Sequence, residues 1–180
     1  YDSVCSELRN GFKLTHWMWF VFPQIEGLSS SATSKRFAIS SLEEASAYLR
    51  HPILGPRLRQ CTELAAHTYG RTIKQILGPT DSLKFQSSMT LFIHATEENQ
   101  VFQNALRQFY EGRYDELTLE LLWLEAYSNS LLITAVAFGI HTCSSVSMTK
   151  LKKTFTPTII SRPTFINRAA NYFVNRDFYF

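Results

Sequence analysis

The stretch Lys13–Gln24, KLTHWMWFVFPQ, constrains this chain more than any other. From His16 to Phe22 it places two tryptophans, two phenylalanines, a methionine and a histidine in seven consecutive positions. Burying one aromatic side chain removes about 150–250 Å² from water. A run of this kind is therefore either the centre of a core or the wall of a pocket.

The rest of residues 1–122 reads as helices. Tyr1, Val4, Cys5 and Leu8 recur at helical spacing before Asn10-Gly11. Gly27 to Ser34 is serine-rich and reads as a loop. Ser41 and Glu44 have capping-box spacing ahead of Ala45, Tyr48 and Leu49, and Pro52 stops that helix. A helical face then runs from Arg57 to Tyr69, with Gly70 as its terminator, and a short helix follows over 71–77. Asp81 is expected to cap the helix through Phe85, Met89 and Phe92, and Thr96 the helix through Phe102, Leu106 and Phe109, which Gly112 ends. Asp115 to Tyr127 is the last helical pattern. No clean alternating strand appears, apart from the ambiguous run Trp17–Phe22. The expected fold is all-α, a single-domain multi-helix bundle with an irregular C-terminal extension. Trp17, Trp19, Phe22, Leu49, Leu58, Leu64, Phe92, Leu106 and Phe109 are its expected core.

Charge separates the chain into two parts. Residues 1–122 carry 12 Lys/Arg and 13 Asp/Glu, whereas residues 123–180 carry 6 and 2. The basic excess thus belongs to the C-terminal third and is a weak argument for nucleic acid, which usually needs a clustered basic face, so nucleic acid is not the expected partner. Helical caps and stripes also fade there, so 1–122 is read as a helical domain and 123–180 as an atypical extension. That extension is expected to be poorly packed and dispensable for folding, either lineage-specific or the product of a misread gene. Its most apolar run, Leu131–Ile140, is far shorter than the ~20 residues that span a bilayer. Cys5, Cys61 and Cys143 form no CxxC pair and match no zinc spacing, so no metal and no cofactor is expected. With no secretory signal visible, the expected compartment is cytoplasmic, or nuclear.

Several blocks carry a resemblance. They are KLTHWMWFVFPQ at 13–24, FAI at 37–39, EASAYLRHPILGPRL at 44–58, LKFQSSMTLF at 83–92 and DELTL at 115–119. In this order they resemble the bacterial and fungal family called domain of unknown function 1810, and the resemblance stops at about Leu122. It implies a compact, mainly helical domain and no established activity. Proteins of this family are sometimes labelled calpastatin-like, meaning inhibitors of a cysteine protease. Such inhibitors are largely disordered and poor in aromatics, unlike this sequence.

Candidate ligand-binding residues are Lys13, His16, Trp17, Gln24, Arg57, Lys84, Ser87 and Ser88. His16 is the candidate acid/base group, and no catalytic residue is assigned beyond that candidacy. Rings can stack a flat ligand, while Lys13 and Lys84 can meet an anion. The competing view makes the rings core and the small hydroxyls of 87–90 packing residues. Arg57 could hold an anion at a helix N-terminus, or lie on the surface. Glu43, Glu44, Asp115 and Glu120 have no spacing that identifies acid–base work. Three functions follow in order: a binding or interaction module using an aromatic groove, for a small anionic ligand or a protein partner; an enzyme on a nucleotide-like or other anionic metabolite; and, last, a protease inhibitor.

Overall fold

The computed structural model describes residues 1–137 of the chain, with side chains described to Ser128. Among the described residues there are nine helices and no strand. The helices are α1 (Asp2–Arg9), α2 (Met18–Val21), α3 (Ala32–Arg36), α4 (Leu42–Arg50) and α5 (Leu54–Ala66), followed by α6 (Ile73–Leu77), α7 (Pro79–His94), α8 (Gln100–Tyr110) and α9 (Glu116–Ala137).

Helix α7 is central. Phe85, Met89, Leu91, Phe92 and Ile93 are all buried, so the apolar residues of its C-terminal half surround the axis instead of forming one stripe, as befits a helix covered on most sides. It packs against α4, α6, α8 and α9, while α5 packs against α1, α2, α4 and α8. Rings connect these layers. Phe22 meets Phe85 edge-on at 4.8 Å between centroids, Phe85 lies 6.2 Å from Phe109, and Phe92 joins Tyr48 to Phe102. Each edge-on pair adds roughly 0.5–1.5 kcal/mol to what burial supplies.

The ambiguous aromatic run resolves into the short helix α2 and an extended exit. At that exit Ile25 makes an isolated parallel bridge with Ile39, through Ile39 N–H to Gln24 O at 2.9 Å and Glu26 N–H to Ile39 O at 2.8 Å. The core is as expected for Trp17, Phe22, Leu58, Phe92 and Leu106. Trp19, Leu49, Leu64 and Phe109 are only partly buried, because each sits at the rim of the cluster.

Several ends differ from expectation for local reasons. The serine-rich loop contains α3, which Ser31 caps by accepting Ser34 N–H at 3.1 Å. Ser41 caps α4 as expected, but Glu44 reaches back to Ser40 N–H. The reciprocal capping box is Thr72 with Gln75, at the start of α6. Pro79 occupies the first turn of α7, so Gly78 is the N-cap and Asp81 stands one turn in, where its charge favours the helix dipole. Asn99 precedes α8, and Thr96 Oγ1 accepts Glu98 N–H instead. The composition change near residue 123 falls within α9. The remainder of the expected extension, residues 138–180, lies outside the described residues.

Candidate functional site

The aromatic block and the N-terminal half of α7 meet along a polar seam. Lys13 Nζ pairs with Asp81 Oδ2 at 2.9 Å, and Lys84 Nζ with Asp81 Oδ1 at 2.7 Å. One carboxylate thus receives an ammonium from each of two segments 71 residues apart in sequence. Each ammonium also lies against an indole: Lys13 Nζ is 5.3 Å from the Trp17 ring centroid, and Lys84 Nζ is 4.9 Å from that of Trp19. Further along α7, Ser87 Oγ accepts from Gln24 Nε2 at 2.5 Å and can donate to the Lys84 carbonyl oxygen at 3.1 Å. Asp81, Lys84 and Ser87 recur at intervals of three, which puts them on one helix face. Burial alone would raise the Asp81 carboxyl; hydrogen bonds and charge from Lys13 and Lys84 outweigh it and hold Asp81 below the usual range. Asp81 is therefore ionised at neutral pH, and the trio carries one net positive charge.

Beneath the block lies a second carboxylate. Glu7 of α1, 7% exposed, accepts Leu14 N–H at 2.8 Å, Thr15 N–H at 3.1 Å, Thr15 Oγ1–H at 2.6 Å and Trp17 Nε1–H at 2.8 Å. It fixes the path of the chain from Leu14 to Trp17 and so places Lys13. Burial pushes its carboxyl upward, but hydrogen bonds from Thr15, Leu14 and Trp17 outweigh burial and lower it.

The expected site residues separate into groups. Lys13, Gln24, Lys84 and Ser87 line the seam, together with the rings of Trp17 and Trp19. Trp17 is 2% exposed, so its face toward Lys13 is the part that borders the seam. His16 is exposed and makes no hydrogen bond among the described residues. Arg57 lies elsewhere, its guanidinium 4.3 Å above the Tyr1 ring between α5 and α1. Ser88 is fully buried, and its Oγ has no hydrogen-bond partner among the described residues. Asp81 reads in sequence as a cap, and the signal for its pairing is the i,i+3 spacing to Lys84. Nothing in the sequence signalled Glu7, whose role depends on how α1 docks. Glu43 does meet a carboxylate, Glu125 of α9, with which it shares a hydrogen bond; Glu125 also accepts Leu42 N–H at 3.1 Å, so this contact serves the start of α4.

Next to the seam, Trp19, Phe22, Gln24, Leu28 and Phe37 wall a cleft with Lys35 among its lining. Its volume of about 20 Å³ admits a water-sized group. A wider open groove of about 1300 Å³ lies between the α5–α6 connection and the start of α9. Arg71, Lys74 and Arg113 face it together with Asp115 and Glu116, so its charge is mixed. Among the described residues, no group of three His, Cys, Asp or Glu side chains could hold a metal ion, and no helix is long and apolar enough to cross a membrane.

Residues 1–122 match the family described as "Protein of unknown function (DUF1810)". The chain belongs to this family. The block Lys13–Gln24 and its seam with α7 both lie inside the matched region. The solved structures include a similar protein, the conserved hypothetical protein Rv1873 from Mycobacterium tuberculosis, at 56% sequence identity and a TM-score of 0.67. The alignment covers 68% of this chain and 87% of that one. No curated protein matches the chain. Family membership thus brings a helical domain and no assigned activity.

Proposed function

We propose that the domain is a binding module that holds a small anionic group, a phosphate or carboxylate carried by a metabolite, at the seam between Lys13–Gln24 and α7. One observation carries this reading: two ammonium groups converge on the single carboxylate of Asp81. Each ammonium has three N–H donors and gives one to Asp81, so donors and a net positive charge remain at a half-buried place. In such a place charge–charge attraction is stronger than in bulk water. The indoles of Trp17 and Trp19 restrict where the ammonium groups can move, and Gln24 adds an amide beside them. The small volume of the adjoining cleft favours a compact anionic tip over a whole base within the cleft.

Acid–base catalysis has less support. Asp81 is held in its charged form, which makes it an acceptor and not a proton donor, and His16 has no partner among the described residues to orient it. A folding-on-binding protease inhibitor is also poorly matched by a packed aromatic core.

The test is a thermal-shift series at low ionic strength with inorganic phosphate, nucleotides, sugar phosphates and dicarboxylates. Wild type should be stabilised by at least one compound, Lys84→Gln should lose that response, and Asp81→Asn should strengthen it by removing the competing carboxylate. The same absence of response in all three proteins across the panel overturns the reading.

A further inference from the structure

The contact between α1 and α5 holds two thiols that the anion-binding reading does not use. Cys5 on α1 and Cys61 on α5 are both buried and both free. They face each other where the two helices pack and share a hydrogen bond. Tyr1 lies against both sulfurs, its hydroxyl donating to Gln60 Oε1 at 2.6 Å and its ring under the Arg57 guanidinium. The half-buried Tyr1 side chain thus covers the pair at the outer end of α1.

The two sulfurs differ in character. The hydrogen bond from Cys61 lowers the Cys5 thiol, against the effect of burial, with help from Tyr1 and the Arg9 charge. That same hydrogen bond, followed by burial, pushes Cys61 upward. A thiol held low beside a thiol held high is the arrangement in which a first sulfur attacks and a second resolves.

We propose that Cys5 and Cys61 form an oxidative modification site, at which a hydroperoxide converts the pair into an intramolecular disulfide joining α1 to α5. The Cys5 thiolate attacks the outer peroxide oxygen. The O–O bond breaks, and the alcohol, or water when the oxidant is hydrogen peroxide, leaves with the proton that Cys5 had released. Cys5 becomes a sulfenic acid, oxidised by two electrons as the peroxide is reduced. Cys61 sulfur then attacks Cys5 sulfur, the S–O bond breaks, and hydroxide leaves as water with the Cys61 proton. In balance, two thiols and one hydroperoxide give one disulfide, one alcohol and one water. A hydroperoxide is small enough to reach sulfurs that become uncovered when the start of α1 opens locally. The resulting bond would close a long loop, so it should also raise the melting temperature.

The experiment treats the reduced, folded full chain with hydrogen peroxide, blocks the remaining thiols with iodoacetamide in denaturant, and maps peptides by mass spectrometry. The expected result is a Cys5–Cys61 linked peptide, with Cys143 recovered in alkylated form. In Cys61→Ser, dimedone should trap a sulfenic acid at Cys5. Recovery of both Cys5 and Cys61 as alkylated thiols, or a disulfide that uses Cys143 instead, overturns the proposal. The wild-type map decides the matter even if the variant folds poorly. Because the readout is covalent and uses none of Lys13, Asp81 and Lys84, its failure is distinguishable from that of the anion-binding test.

Discussion

The Glu7 carboxylate takes the Trp17 indole N–H at 2.8 Å, and the same side chain accepts three further hydrogen bonds from Leu14 and Thr15. Glu7→Gln replaces one acceptor oxygen by a donor facing those groups. It should cost about 2–3 kcal/mol at neutral pH. The folded carboxyl is lowered, so its contribution is present above the unfolded value of about 4.3 and disappears as pH falls through the folded value. Urea denaturation at neutral and acid pH checks this: the gap between wild type and Glu7→Gln should shrink in acid, and a gap independent of pH would contradict it.

The two tryptophans should respond differently. Trp17 is wholly enclosed and hydrogen-bonded, so Trp17→Ala should cost about 3–5 kcal/mol. Trp19 is partly exposed beneath Lys84, so Trp19→Ala should cost about 1–2 kcal/mol, from its covered edge and the lost cation–π contact. Equal losses in chemical denaturation would mean that Trp19 belongs to the core as fully as Trp17.

Gly55 permits α5 to start against the end of α4. A Cβ placed there would lie 2.0 Å from the Leu49 carbonyl oxygen, a backbone atom that cannot swing away. Gly55→Ala should therefore cost about 3 kcal/mol or more. Retention of the wild-type melting temperature would show that the two helices can separate freely.

Ser88 carries a buried hydroxyl with no partner among the described residues. Removing it eliminates an unmet desolvation cost and places a better helix former within α7, so Ser88→Ala should stabilise by about 1 kcal/mol. A destabilised variant in thermal denaturation would show that the hydroxyl is satisfied in solution.

Much of the helical framework was legible in the sequence. The cap of Ser41 on Glu44, the stripe of α8 and the stop at Gly11 arise between residues a few positions apart, so their chemistry appears in any short window. The closeness of the 13–24 and 83–92 blocks was also foreseeable, since both are too apolar to leave uncovered, and the contact of Phe22 with Phe85 is its realisation. Their order along the chain supported family membership over 1–122.

What the tertiary structure decided is the identity of the partners. Asp81 reads in sequence as a cap, but it joins Lys13 and Lys84 because α7 brings its first turn beneath the aromatic block. Glu7 becomes the anchor of Trp17, Arg57 turns away to Tyr1, and Cys5 meets Cys61 through the docking of α1 on α5. Trp19 stays at the rim although its composition matches that of Trp17. A periodic pattern states which face of a helix avoids water. Which acceptor satisfies a given donor is set by contacts between residues far apart in the chain, and these exist only once the helices have packed.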